Sequence, residues 1–331
     1  MPQTVIVRLP NWLGDTVMAV PALWALRTAL PDARVALAGP WVSLLTGQGL
    51  GDVLVSYPRS WGSRIRTADT VRGLHAETAV LLPNSLEAAA SAWYWGARRR
   101  VGFATEGRGW LLTDAIPSPT PRRHQVDEYL LLMAPLGVAG ATAEPRLTPP
   151  PAESPERTAV RALLREAGVT WDRRSSPLVG IHLGAAFGPA KLWPAERVAE
   201  LCRRVRRDGG VPLLLGTTGD VAMAETVRGH TPVASLVGRD SPALLPALLT
   251  ELSVVVCGDT GVGHLSAALG TPVVALFGPT DWRLTAPRGR VEVLQHATPC
   301  APCFYRVCPI EHPCMRGIGA GEVWARVRRV M

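Results

Sequence analysis

Positions 254–281 read VVVCGDTGVGHLSAALGTPVVALFGPTD, and the polar residues of this stretch are of the kinds that hold phosphate. The seven residues CGDTGVG contain three glycines and one acid. Glycines let backbone N–H groups close on an anion with no Cβ in the way, and a helix amino terminus adds about half a positive charge. Asp259, Thr260, Gly261, Gly263 and His264 are therefore candidates for a nucleotide site. A plainer reading makes Asp259 and Thr260 helix caps through their side-chain oxygens, and His264 an ordinary hydrogen-bonded helix residue.

Composition singles out a cation for the same site. The chain has 35 lysines and arginines, and Lys191 is the only lysine among them. It sits in the loop GAAFGPAKLWP (184–194), which also holds Ala185, and a compact ammonium there suits a phosphate as a point charge. Asp220 closes GTTGD (216–220), and Gly238 ends a brief apolar run at 236–238. Loops at 184–193, 216–220 and 258–264 thus gather one cation, two carboxylates, a histidine and several glycines. That set fits a nucleotide, with cation and amides for the phosphates and an acid for ribose hydroxyls.

Near the start, PNWLGD (10–15) carries Gly14 and Asp15 between a strand and a helix. A carboxylate in that place favours the helix dipole, and it is also placed to act as a general base. The segment SAWYWGARRRVGF (91–103) sets aromatics beside Arg98, Arg99 and Arg100. It reads as a packed helix end with a solvated charge run, or as an interfacial patch facing anionic lipid or a phosphorylated acceptor. Cys300, Cys303, Cys308 and Cys314 follow a C-x2-C-x4-C-x5-C pattern. Reduced packing, a zinc or iron–sulfur site and a redox-labile pair are all open for them. Cys202 and Cys257 read as core.

The elements that must position these groups alternate. Strands are expected at 4–9, 35–38, 52–56 and 79–82, with a helix at 16–30 and the loop PNS at 83–85. Five prolines in the twelve residues 144–155 make a semi-rigid connector and mark a domain boundary, giving domains 1–150 and 156–331. Beyond it a helix at 155–167 leads to strands at 178–183, 211–215, 254–257 and 273–277. Pro194 opens one intervening helix, and Gly270 and Pro272 close another. Strands separated by helices mean βαβ units and a mostly parallel sheet. No G-x-G-x-x-G follows the first strand, which argues against a nicotinamide cofactor.

The 331 residues suffice for two ordinary domains, and charged or proline residues interrupt every apolar run well short of a membrane span. The start MPQTVIVRLP has no basic region ahead of an apolar one, so a cytoplasmic protein is expected. The net charge of +8 is spread over both halves and favours anionic ligands or an anionic membrane surface. No zinc-finger spacing, RNA-binding signature or helical basic stripe points to nucleic acid.

Taken together, RLPNWLGDTVMAVPALWALR, LPNS (82–85), KLWP (191–194), the 257–281 stretch and CAPCFYRVCPIEHPCM (300–315) resemble the ADP-heptose:lipopolysaccharide heptosyltransferases of glycosyltransferase family 9, type II above all. The likeness spans residues 4–320 in order. It implies an α/β fold of the GT-B kind, two Rossmann-like parallel-sheet domains facing across a cleft, the first for acceptor and the second for donor. It also implies inverting, metal-independent transfer from ADP-heptose to the lipid A/Kdo-type inner core of lipopolysaccharide, with peripheral contact at the inner membrane surface. Asp15 matches the family's base, Lys191 its pyrophosphate lysine, and Asp259, Thr260, Gly261 and His264 its donor-binding segment. Asn84 and Ser85 match a region lining the acceptor side, and Arg100 is assigned there too. No cofactor is implied for catalysis. Val262–Gly263 before His264, and Trp282 with Arg283 after GPTD, depart from the family pattern and bear on sugar specificity. Two other readings stay open: a GT-B transferase or epimerase using UDP, and a non-catalytic nucleotide-sugar or lipid-carrier binder.

Overall fold

A computed structural model describes residues 3–58, 61–138, 142–239 and 241–331. The chain divides into two compact units, 1–145 and 146–331. In the first unit, β1 (Thr4–Arg8), α1 (Leu13–Met18), α2 (Val20–Ala29), β2 (Arg34–Gly39), β3 (Val53–Ser56), α3 (Trp61–Arg72), β4 (Thr78–Leu81), α4 (Leu86–Tyr94), β5 (Arg99–Phe103), β6 (Asp114–Ile116) and α5 (Gln125–Leu131) follow one another. The apolar runs of β1, β2 and β4 are short and buried on both faces, as helix-covered parallel strands require, while the edge strands β3 and β6 are more exposed. The sheet order is β3-β2-β1-β4-β5-β6, with every pairing parallel. Chain direction across the sheet therefore reverses between β1 and β4.

The second unit repeats the plan. It comprises α6 (Pro155–Glu166), β7 (Leu178–His182), α7 (Ala195–Arg207), β8 (Val211–Leu215), α8 (Val221–His230), β9 (Ala234–Ser235), α9 (Leu245–Glu251), β10 (Val254–Gly258), α10 (Gly261–Ala268), β11 (Val273–Phe277), α11 (Trp282–Thr285), β12 (Val291–Gln295), α12 (Pro313–Arg316) and α13 (Ala320–Val330). The order β12-β11-β10-β7-β8-β9 is again all parallel and reverses between β7 and β10. Helix α7, AERVAELCRRVRR, shows how the packing works. Its Val198, Ala199, Leu201, Cys202 and Val205 are buried in the core while the arginines stay outside. In doubly wound sheets, ligands bind beyond the carboxyl ends of the strands at the reversal. Each unit thus has one favoured edge.

Several elements differ from expectation. The helix expected at 16–30 is two helices meeting at Ala19, which ends α1 and precedes α2. Pro21 has no N–H to continue the hydrogen-bond ladder, so the chain restarts there. The expected charge run at 98–100 puts Arg99 and Arg100 inside β5 instead of at a helix end. The short strand lies at Ala234–Ser235, two residues before the expected 236–238. The first unit ends at residue 145, before the predicted 150, because Leu147 is buried and its N–H donates to Ala268 O of the second unit at 2.8 Å. Among the described residues, no helix is long and apolar enough to cross a membrane.

Candidate functional site

In the second unit, the loops that follow β7 and β10 lie on either side of the sheet reversal, and their key side chains meet. Lys191 Nζ is 2.5 Å from Asp259 Oδ2, and it also donates to the Asp259 backbone carbonyl at 3.3 Å. Lys191 and Asp259 side chains are each only 9% exposed, so this is a desolvated pair. Removing one partner of such a pair would strand the other charge. Thr280, from the GPTD loop after β11, donates its hydroxyl to the same Asp259 oxygen at 2.8 Å. The lysine also lies 4.5 Å from the centroid of the Phe187 ring. Asp259 is thus turned to Lys191 and Thr280, and Thr260 makes no capping bond to α10 although it occupies the cap position. The helix amino terminus therefore begins at Gly261 without a side-chain cap. His264 is buried within α10.

Other predicted donor residues have different work. A Cβ on Gly263 would lie 2.8 Å from Cys257 Sγ, so this glycine lets α10 press onto β10. Burial pushes the Cys257 thiol up to about 12, which keeps it neutral and inert beneath the loop. Asp220 accepts from Thr217 N at 2.8 Å and from Thr217 Oγ1 at 2.9 Å, completing a capping box. Both Gly184 and Gly216 lack a Cβ where this carboxylate crowds them. Gly238 has φ +75 and bonds Gly216 O at 3.0 Å, closing the adjacent loop. Ala185 is half-buried in the Lys191 loop. His182, at the end of β7, is held below the ordinary imidazole value by burial, opposed by the Asp220 charge.

The first unit has its own set at the corresponding edge. Asp15 is in the first turn of α1, directly after β1, with Gly14 buried beside it. Tyr129 of α5 is buried and hydrogen-bonds Asp15, and burial, reinforced by the Asp15 charge, raises its phenol well above the ordinary value. The phenol stays protonated and donates to the carboxylate, fixing its direction. Asn84 is exposed after β4, while Ser85 caps α4 by accepting from Ala88 N at 3.3 Å. Buried Arg108 binds the carbonyls of Phe103, Pro83 and Ser85, at 2.9, 2.6 and 3.1 Å, and braces this loop. Arg100 does not join the group. Its guanidinium is bound by Leu111 O and Ala97 O, both at 2.6 Å, and it pairs in register with Ala79, two residues short of the carboxyl end of β4. Nor is Arg99 a free cation, since it pairs with Asp114 at 2.8 Å.

Sequence reasoning missed a network on the same unit. Buried Arg8 bonds Asn11 Oδ1 at 2.8 Å and lies 4.2 Å from the Tyr57 ring centroid, while Tyr57 donates to Glu87 at 3.2 Å. Burial lowers the Arg8 guanidinium, with Glu87 opposing that shift. Tyr57, Arg64, Glu87, Ser91 and Tyr94 line a cavity of about 310 Å³. The arginine that ends the apolar strand TVIVR is a sequence signal that could have led here.

For the cysteine tail, the spacing left packing, a metal centre and a redox pair open. Among the described residues, no group of three or more His, Cys, Asp or Glu side chains is arranged to hold a metal ion. Cys314 is buried in α12 against the backbone of Gly278, Cys308 accepts from His312 N at 3.3 Å, and Cys300 is exposed. Protein purified without chelator is expected to carry only substoichiometric zinc and iron by elemental analysis. A full equivalent of either would restore the metal centre.

A doubly wound parallel fold hosts many unrelated activities, so the family rests on the sequence. The model of glycosyltransferase family 9 (heptosyltransferase) matches residues 64–313, more than half of the chain. The chain belongs to glycosyltransferase family 9. This family-9 transferase is similar to the lipooligosaccharide heptosyltransferase 2 of Haemophilus influenzae, with 27% identity over 297 residues, 84% of each chain. Its fold matches Escherichia coli ADP-heptose lps heptosyltransferase II at a TM-score of 0.81 and 22% identity, over 99% of this chain and 98% of that one. It also matches an Escherichia coli heptosyltransferase solved with ADP, at a TM-score of 0.73 and 16% identity, over 99% of this chain and 100% of that one. The two Rossmann-like units of this glycosyltransferase are thus of the GT-B class.

Proposed function

We propose that this family-9 enzyme transfers L-glycero-D-manno-heptose from ADP-heptose to the inner core of lipopolysaccharide, with inversion and without a divalent ion. The observation that carries the donor half is the desolvated Lys191–Asp259–Thr280 cluster beside the uncapped start of α10, at the reversal of the second sheet. Lys191 and the backbone N–H groups from Gly261 onward bind the diphosphate and stabilise charge on the departing ADP. Ala185 and His264 border that cradle. Asp15 takes the proton of the attacking acceptor hydroxyl while the hydroxyl oxygen bonds the anomeric carbon and the bond to ADP breaks. One displacement inverts the carbon, so a single base suffices. Tyr129 positions this base. Asn84 borders the acceptor on the first unit. The relatives named above are lipooligosaccharide or lps heptosyltransferases, and one neighbour of the same fold holds ADP, which supports this choice of substrates. Catalysis in the cytoplasm, at the inner membrane surface, follows from such an acceptor.

Calorimetric titration with ADP and UDP, with and without magnesium, tests the donor. ADP-selective binding that ignores magnesium is expected. Binding confined to UDP, or dependent on magnesium, would replace ADP-heptose with another nucleotide sugar.

A further inference from the structure

The Lys191–Asp259 pair is neutral as a unit, and a neutral pair does not by itself attract a diphosphate. The α10 amino terminus adds only about half a positive charge, so most of the charge that balances such an anion must come from elsewhere. The cysteine segment supplies it. Residues 296–312 contain neither helix nor strand, yet they dock by backbone onto both loops of the cluster. Cys303 N and Phe304 N donate to Pro279 O at 3.1 and 2.8 Å, one residue from Thr280. Arg306 O accepts from Ala190 N at 3.0 Å, one residue from Lys191. A Cβ on Gly188, whose φ is +150, would lie 2.6 Å from that Arg306 carbonyl, so the contact requires glycine there.

This docking sets the Arg306 guanidinium 5.6 Å from the centroid of the Phe187 ring, the same ring that Lys191 approaches to 4.5 Å. Two cations therefore share one aromatic ring. Lys191 is neutralised by Asp259, whereas Arg306 is exposed and has no carboxylate within ion-pair distance among the described residues. A planar guanidinium with its donors unspent fits two phosphate oxygens at once.

We propose that Arg306 is a second cation of the donor site, clamping the diphosphate of the nucleotide sugar beside Lys191. The inference rests on the donor reading above and extends it to a residue of the cysteine segment. In this arrangement the segment is a scaffold whose backbone bonds hold Arg306 over Phe187. Arg306 adds the charge that the internal pair lacks.

The test is calorimetry of the full-length wild type, Arg306→Ala and Arg306→Lys with ADP, UDP and AMP, at two salt concentrations. Because a hydrogen bond to a charged group is worth more than a neutral one, Arg306→Ala should weaken ADP binding about ten- to a hundred-fold. AMP, with no second phosphate, should lose much less. Arg306→Lys should recover part of the loss, and the salt dependence of ADP binding should flatten in Arg306→Ala. Equal losses for ADP and AMP would mean that Arg306 only packs the loop, and an unchanged ADP affinity would remove it from the site. If the wild type prefers UDP and Arg306→Ala weakens that binding, the clamp stands and the choice of nucleotide falls. A wild type that binds neither nucleotide overturns both.

Discussion

Replacing Asp15 by alanine should lower the rate of sugar transfer by about 10²- to 10⁴-fold, the usual worth of a positioned general base. ADP affinity should stay within about twofold, because the donor cluster is built from β7, β10 and β11 of the second unit and Asp15 belongs to the first. Asp15→Asn is the sharper variant. It keeps the shape of the side chain and a partner for the Tyr129 phenol, but it cannot accept a proton at neutral pH. Initial rates with saturating donor, set beside calorimetry of ADP, separate the two effects. Wild-type transfer by Asp15→Asn would take the residue out of the chemistry and leave it as an acid in the first turn of α1. Tyr129→Phe should give a smaller loss, confined to the rate, since it frees the carboxylate without removing it.

The second large effect concerns Lys191. Lys191→Ala leaves the Asp259 carboxylate almost wholly buried with Thr280 as its remaining side-chain partner. Breaking a buried pair in this way costs about 3–5 kcal/mol, which for a unit of this size is a fall in melting temperature of roughly 10 °C. Lost ADP binding in that variant would therefore be ambiguous. The double variant Lys191→Met, Asp259→Asn removes both charges together and should recover most of the stability, because the desolvated carboxylate is gone. ADP binding should remain lost. If the double variant bound ADP as tightly as the wild type, the cluster would be a structural pair and the donor reading would have to move to another set of groups. Differential scanning calorimetry and ADP titration of the same samples decide between these outcomes.

Much of the architecture was legible in the sequence because it is written locally. Short β-branched runs such as VVVC, broken by glycine-rich turns and followed by amphipathic segments such as AERVAELCRRVRR, specify strand, loop and helix within a few residues of one another. The solitary lysine, the CGDTGVG loop and the acid after the first strand were legible for the same reason. Each depends on residue type and on its place at a strand's carboxyl end. Proline positions gave the connector, though the boundary moved to residue 145 because Leu147 found a buried seat on the second unit.

What only the tertiary structure decided is how side chains far apart in sequence divide their work. Asp259 was equally suited to cap a helix and to meet Lys191, 68 residues away, and the parallel pairing of β7 with β10 chose the ion pair. Asp220 read as one of two carboxylates of the nucleotide site, and the fold sets one of its oxygens on Thr217 in a capping box. Arg100 looked free in a run of charges, yet β5 pairing carried it to the other end of the sheet, where two carbonyls occupy it. Tyr129 behind Asp15, Thr280 on Asp259 and Arg306 over Phe187 leave no local trace, since nothing in YLL, GPTD or FYRV names a partner. Local propensity fixes the elements because it acts over a few bonds. The pairing of distant polar groups depends on strand order and loop closure, which the fold alone supplies.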